Sequence, residues 1–515
     1  MKLRHFAFAS LLLASPGFFA HAANAPATSA QAAHGIAWFK GDVDAAFAQA
    51  KASNKPLFLY WGATWCPPCN QVKATIFNRQ GFIERSRSFI PVYVDGDAPS
   101  AQKLGARFKV RGYPTMILFK PDGAEVTRLP GEVDAARYLQ VLTLGMSANH
   151  SVADLLQIAK SDASKLSADD WRLLSFYTWD GAEQHLVKAK DLPQTLLTLA
   201  KASTDPESAT RLHLRALLAH EAGKAQVSDD ERSALLKRVQ DQRWARDNMD
   251  LLTNGAADIV EILANGLAAA ERAKLVASFN QALNALLQDA SLSRADRLGA
   301  LTGLVGIAKL DEGKALTPEL SKLVAEQVAQ IEKSTTDAYE RQAVVSAAAH
   351  VLGEAGMLPA SDDLLKAELK RSHSPYYFML SLASNAKKRK DTAAALDWYE
   401  KAYQASKGPA TRLQWGTAYL NGLLDLAPQD ETRIGKVAKS ILQELGSTPD
   451  AFYDRNRNVL ERSGRKLVSW NLDGKHQQVF AKVQEQLDDI CKTVPKNDAE
   501  RSACKGILQP AKEQL

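Results

Sequence analysis

Two cysteines held apart by two prolines, in Trp65-Cys66-Pro67-Pro68-Cys69, restrict the local fold more than any other stretch of the chain. Proline lacks an amide hydrogen, so a Pro-Pro pair suits the first turn of a helix, where that hydrogen has no intrahelical acceptor. Just before it, Pro56-Leu57-Phe58-Leu59-Tyr60-Trp61 is an apolar and aromatic run of buried-strand length, and Gly62-Ala63-Thr64 breaks the pattern. The sequence therefore predicts a strand that ends just ahead of a helix starting near Cys66. At that end of the helix the dipole is positive and favours the thiolate; cysteines so placed have pKa values of roughly 3.5–7.5. Cys69 falls one turn further in and is expected to be less exposed. Such a pair is a reversible disulfide switch, in which Cys66 attacks a substrate disulfide and Cys69 then attacks Cys66 to release the product. The same steps in reverse oxidise a substrate.

At 515 residues the chain is too long for one core, and 46% hydrophobic with 24% charged residues describes ordinary globular protein. A net charge of +6 without a Lys/Arg block argues against a nucleic-acid partner. Lys2, Arg4 and His5 precede the apolar run Phe6 to Ala14, and Ala20-His21-Ala22 fits a small-x-small cleavage site. Residues 1–22 are thus expected to be a signal peptide, since the run is too short for a span and is broken by Ser15-Pro16. Residues 23–35, rich in Ala, Thr, Ser and Gln, read as a flexible lead-in. No later stretch is long and apolar enough to cross a bilayer. The style of the signal suggests the periplasm, with full secretion as the alternative. Cysteine usage agrees with an oxidising compartment: Cys66 and Cys69 near the front, Cys491 and Cys504 near the end.

Along the chain, Val43, Phe47 and Ala50 recur at helical spacing through Asp42 to Ser53. The active-site helix continues over Gln71 to Ile76, followed by a strand at Phe89 to Asp95, a helix over Ala101 to Phe108 and a strand at Thr115 to Phe119. Pro121-Asp122-Gly123 signals a hairpin, with a returning strand at Val126 to Leu129 and a closing helix over Val133 to Met146. This order, with the CXXC after the first core strand, Gly112-Tyr113-Pro114-Thr115 before a later one and Gly131 after the last, resembles the thioredoxin superfamily. The resemblance covers roughly Trp38 to Met146. It implies an α/β thioredoxin-like domain at 36–147 and a cis bond before Pro114, which proline permits at small cost. It also implies that Trp65, Tyr113 and Pro114 form the substrate-binding wall, with the Tyr113 backbone pairing to a substrate peptide as an added strand. Two positions depart from the familiar pattern. Tyr60 stands where thioredoxins carry a buried Asp, six positions before the first cysteine, and Pro91 aligns with a nearby Lys. The base for Cys69 is therefore unassigned between water, Tyr60 as a hydrogen-bond partner and a residue from the other domain. Pro67-Pro68 resembles the dipeptide of exported thioredoxin-like reductases, including cytochrome-maturation types. Zinc is the other common use of a CXXC. It needs two further ligands, and with no second CXXC and scattered histidines no metal is expected.

From about residue 148 to 515 strand-like alternation disappears and apolar residues recur at spacings of three and four. Leu275, Phe279, Leu283 and Leu286 form one stripe; Leu320, Leu323, Val324, Val328 and Ile331 form another, opened by Thr317-Pro318-Glu319. This half is expected to be a large all-α domain, a bundle or solenoid, with breaks near Asp205-Pro206, Asn254-Gly255, Glu312-Gly313, Pro359 and Lys407-Gly408-Pro409. Near residues 376–425 a weak resemblance to a tetratricopeptide repeat rests on Ala395, Tyr399 and Ala402, with Pro409 closing a helix and Trp415-Gly416 beginning another. At the end, helices before and after Pro495-Lys496-Asn497 bring Cys491 towards Cys504. A structural disulfide there would staple a hairpin, adding ~3 kcal/mol by the loop-entropy model; the competing role is an electron relay to Cys69.

The leading expectation is an exported thiol:disulfide oxidoreductase that needs no cofactor, acts on protein thiols and disulfides, and is recycled by a membrane redox partner. Within that class the alternative is a disulfide-forming oxidase or isomerase. In a different class lies a helical protein-binding scaffold whose thioredoxin-like module is redox-inactive.

Overall fold

The computed structural model describes residues 35–179, 186–220, 225, 227–310, 315–448, 450–495 and 499–509. The expected signal peptide, nearly all of the lead-in, the Glu312-Gly313 break and Lys496-Asn497 lie outside the described residues. Helix α1 (Val43–Ser53), strand β1 (Leu57–Gly62), helix α2 (Pro67–Val72), helix α3 (Gln80–Ser86), strand β2 (Ile90–Asp95), helix α4 (Ala101–Phe108), strands β3 (Thr115–Phe119) and β4 (Glu125–Leu129) and helix α5 (Ala135–Ser147) follow in order. The sheet runs β2-β1-β3-β4, with β1 parallel to β2 and antiparallel to β3, which in turn pairs antiparallel with β4.

Every residue of β1 is buried, which explains why the strand reads as a continuous apolar run rather than an alternating one: both faces of the sheet are covered. Leu57, Leu59 and Trp61 pack with Val43, Ala46, Phe108 and Ile117 on the side of α1 and α4. Phe58 and Tyr60 point the other way, into Phe77, Phe82, Met116 and Tyr138. Helix α2 passes into a wider π-type turn at Lys73–Phe77. Helix α3 was not expected from the sequence. It has only seven residues and no side-chain cap, so neither periodicity nor capping announces it.

Beyond α5 all described elements are helical. The packing does not stop where the secondary structure changes. The apolar face that contains Phe58 and Tyr60 continues into Leu155, Trp171, Trp179, Leu196 and Leu212, and the described residues from Ile36 onward form one compact unit. A second helical core, from Leu214 to Leu352, follows, and a third, from Tyr376 to Ile507, incorporates Trp65, Cys66 and Cys69. The chain thus leaves the sheet on one face and returns to the end that carries Cys66 and Cys69.

One expected break and one expected helix start fall elsewhere. Asn254-Gly255 lies inside the helix Met249–Ala264; a Cβ on Gly255 would come within 2.7 Å of Leu218, so the glycine serves close helix packing rather than a turn. Trp415-Gly416 lies inside the helix Pro409–Leu426, which Pro409 opens from its first turn. Within this region Tyr403 lies against Gly416 and Tyr399 against Gly422, an aromatic filling the gap left by each glycine.

Gly464 makes the tightest of these approaches. A Cβ there would stand 1.9 Å from the Ile507 carbonyl oxygen, between the helix Asp454–Trp470 and the residue that follows the helix Ala499–Gly506. Gly464→Ala should cost about 1–3 kcal/mol in urea unfolding through overpacking, while Gly474→Ala, at a position with no atom nearby, lacks this packing penalty and tests only the backbone.

Candidate active site

Cys66 occupies the N-cap position of α2, with Pro67 and Pro68 in the first turn, and its sulfur accepts the Cys69 N–H at 3.2 Å. The two cysteines are joined as a disulfide with Cα atoms 5.2 Å apart. The loop that delivers them is fixed from inside: the buried Asn70 side chain donates to the Thr64 and Cys66 carbonyls, both at 2.9 Å. Tyr113 packs against the Trp65 ring at the same end of the sheet, its bond to Pro114 is cis, and Gly131 lets the proline approach closely, since a Cβ there would lie 3.2 Å from Pro114 Cγ. Trp65, Cys66, Cys69, Tyr113 and Pro114 are therefore brought together at one end of the sheet.

A model of the thioredoxin-like domain family matches residues 43–145. Thioredoxin of Mycolicibacterium smegmatis is 34% identical over 91 residues, which are 18% of this chain and 79% of that protein. The chain belongs to the thioredoxin superfamily. Its thioredoxin-like domain is also 31% identical over 103 residues to the thiol:disulfide interchange protein DsbD of Pseudomonas fluorescens, a match that takes in 19% of this chain and only 18% of that relative. A solved DsbH oxidoreductase aligns over 24% of this chain and 92% of its own, at 22% identity and a TM-score of 0.21.

What distinguishes this thioredoxin-like domain is its cover. Cys66 is 2% exposed and Cys69 0%. The expected difference in exposure between the two is almost absent, because helices from the second half of the chain lie over both. The Trp65 ring stacks on Tyr377 and meets Trp415 edge-on at 4.8 Å. Its indole N–H donates to Thr411 Oγ1 at 2.8 Å, its carbonyl accepts from Gln342 Nε2 at 3.3 Å, and His373 Nε2 lies 3.0 Å from the Thr64 carbonyl. Arg455 places its guanidinium over the Tyr113 and Trp65 rings, 4.6 and 5.4 Å from their centroids. None of these partners was read from the sequence. Thr411 and Trp415 sit just after the Gly408-Pro409 break, but nothing in their spacing points 346 residues back to Trp65.

Cys491, in the helix Gln477–Thr493, and Cys504, in the helix Ala499–Gly506, are both buried and joined as a second disulfide, with Cα atoms 5.7 Å apart. Among the described residues no group of three or more His, Cys, Asp and Glu side chains is placed to hold a metal ion, and no helix is long and apolar enough to cross a membrane.

Tyr60 is fully buried between Phe77 and Tyr93, and its hydroxyl has no hydrogen-bond partner. Burial first, then the neighbouring Tyr93 and Asp95, pushes its ionisation far above the ordinary tyrosine range. Tyr60 therefore stays a neutral phenol and makes no bond to Cys69. Tyr60→Phe should leave the rate of thiol–disulfide exchange within about twofold of wild type and should not lower stability by more than about 1 kcal/mol, because no buried partner is left unpaired.

Asp296, half-buried in the helix Arg294–Ala308, is a second titratable group in contact with α2. Gln71 Nε2 donates to its Oδ1 at 2.6 Å, and Oδ2 lies 2.6 Å from Ser293 Oγ. Burial, helped by the nearby Asp134 and Glu132 and opposed by the Ser293 and Gln71 bonds, pushes this carboxyl up to about 7. The unfolded chain releases the same proton near pH 4, so between about pH 4 and 7 the folded state binds more protons and stability falls as pH rises. Asp296→Asn keeps the shape without the charge. Thermal melts should show the variant more stable than wild type at pH 8, with that advantage vanishing by about pH 4.

Proposed function

We propose that this chain is an exported thiol:disulfide oxidoreductase, with Cys66 the attacking and Cys69 the resolving cysteine. The observation that carries this reading is the Cys66–Cys69 pair at the N-terminus of α2, set beside the cis Tyr113-Pro114 bond. In the reducing direction the Cys66 thiolate attacks one sulfur of a substrate disulfide, forming a mixed disulfide and expelling a substrate thiolate. The Cys69 thiolate then attacks Cys66 sulfur, expelling the second substrate thiolate and leaving Cys66–Cys69 oxidised. Two electrons pass to the substrate, and the two cysteines carry both, so no bound cofactor is required. Trp65, Tyr113 and Pro114 form the wall against which the substrate lies. Run backwards, the same exchange forms disulfides, which is the oxidase or isomerase alternative.

Export to the periplasm is supported by the basic, apolar and small-residue pattern of residues 1–22 and by the paired cysteines. An exported protein of this kind depends on a membrane redox partner to restore Cys66 and Cys69 after each turnover. The Cys491–Cys504 bond serves as a structural staple in this reading, since both cysteines lie in helices without a cis-proline beside them.

One observation favours the scaffold reading, in which the module is redox-inactive: the burial of Cys66 itself. The two readings separate in one experiment. Cys69→Ser, expressed with its leader, should accumulate mixed disulfides with periplasmic proteins that disappear on adding reductant, and Cys66→Ser should accumulate none. Wild-type protein should also catalyse insulin reduction or refold a scrambled substrate. If Cys69→Ser traps nothing and the wild type does neither, the pair is a structural disulfide and the scaffold reading stands.

A further inference from the structure

The helix Pro409–Leu426 starts at Gly408, which has φ of +88° and no side chain with which to cap the first turn. The cap comes from the other half of the chain. Asp97, in the loop after β2, accepts the Thr411 N–H on Oδ1 at 2.8 Å and the Thr411 hydroxyl on Oδ2 at 2.5 Å. A Cβ on Gly408 would stand 2.3 Å from the Asp97 carboxyl carbon, so the glycine clears the space that this foreign carboxylate fills. Aspartate is a favoured N-cap because its oxygens satisfy first-turn N–H groups and its charge meets the positive end of the dipole.

The same Thr411 hydroxyl accepts the indole N–H of Trp65. One oxygen thus joins three elements: the loop after β2, the first turn of a distant helix and the residue that precedes the attacking cysteine. Around this joint Gln342 and His373 hold the Trp65 and Thr64 carbonyls, and Tyr377 and Trp415 cover the indole. Exchange requires an incoming sulfur to reach a disulfide sulfur, and access sets the rate as directly as thiolate character does. With Cys66 and Cys69 buried beneath this cover, no incoming sulfur can reach either one until it withdraws.

We infer that Asp97 and Thr411 are gating residues of the exchange reaction. Their pairing closes the helical half over the Cys66–Cys69 disulfide, and parting them exposes it. The inference rests on the redox reading of that pair, but it concerns access and can be tested without any client. Parting them gives up a cap, a charge-assisted hydrogen bond and the Trp65 bond together, so removing either partner should shift the balance strongly towards the open form.

The test uses oxidised full-length protein with dithiothreitol as the probe. Samples are quenched with acid and tagged with a maleimide, and peptide masses read Cys66/Cys69 separately from Cys491/Cys504. In the wild type the reduction rate of Cys66–Cys69 should level off as dithiothreitol rises, because opening limits it. Asp97→Ala and Thr411→Val should each raise that rate by about tenfold or more, the size set by losing one charge-assisted bond, while Thr411→Ser, which keeps the hydroxyl, stays within about twofold. Reduction of Cys491–Cys504 should not change. Acceleration below about fivefold in both variants, or an equal acceleration at Cys491–Cys504, overturns the gate, the second outcome showing general loosening. Failure of the wild type to reduce insulin would count against the enzymatic reading and leave this measurement unaffected.

Discussion

The indole of Trp65 is where the two halves of the chain depend on each other. A buried tryptophan needs a partner for its N–H as well as walls for its ring, and here the N–H partner, Thr411, and two of the walls, Tyr377 and Trp415, come from residues more than 300 positions later. The dependence runs both ways. The helix that supplies Thr411 begins at a glycine and takes its cap from Asp97, so its first turn is completed only when it is docked on the thioredoxin-like domain. Trp415, which meets Trp65 edge-on, is itself held by donating to the Tyr376 carbonyl at 2.9 Å. Docking, capping and burial of the Cys66–Cys69 pair are in this sense one event.

This arrangement also explains why the apolar clusters cut across the boundary that the secondary structure suggests. A thioredoxin-like domain alone would expose the sheet-facing helices on one side and the CXXC end on the other. Here Leu155, Trp171 and Trp179 cover the first of these, and the helices from Tyr376 to Ile507 cover the second. Polar contacts follow the same path. Arg246 pairs with Asp134 at the start of α5, Gln71 of α2 bonds Ser293 and Asp296, and Asn254 bonds Glu132. In the gate inferred above, the motion is local: residues near Thr411 withdraw while the Asp134, Glu132 and Gln71 contacts hold the rest in place.

Much of the thioredoxin-like domain was legible in the sequence because its signals are local. Five apolar and aromatic residues in β1, prolines at the first turn of α2, and a Pro-Asp-Gly turn between β3 and β4 each imply a conformation within a few residues. The helical stripes were legible for the same reason: Leu275 to Leu286 and Leu320 to Ile331 lie on the buried sides of the helices Ala269–Gln288 and Pro318–Ser334. What could not be read is whatever depends on contact between distant segments. Asn254-Gly255 has the composition of a turn, yet Gly255 is there to admit Leu218. Gly408 reads as a loop breaker and is one, but its more telling property is the missing cap, whose replacement is Asp97, far earlier in the chain. The cover has no single local signature, since Gln342, the pair His373 and Tyr377, the pair Thr411 and Trp415, and Arg455 come from four separate stretches of the chain.

The unassigned base for Cys69 takes a different form once the cover is known. The position of the familiar carboxylate is filled by Tyr60, a neutral phenol in an aromatic layer with Trp38, Phe77 and Tyr93. Replacing a buried carboxylate with an aromatic removes a costly ionisable group from the core and strengthens packing around α2. It also removes the internal proton acceptor at that position, which a thioredoxin-like domain open to solvent could replace with water at any time. A closed one has no such access. If the same withdrawal that admits a substrate sulfur to Cys66 also admits water to Cys69, one movement supplies both the electrophile and the proton acceptor. Exchange and resolution are then coupled to the state of the Asp97–Thr411 joint rather than to the ionisation of a residue beneath the disulfide.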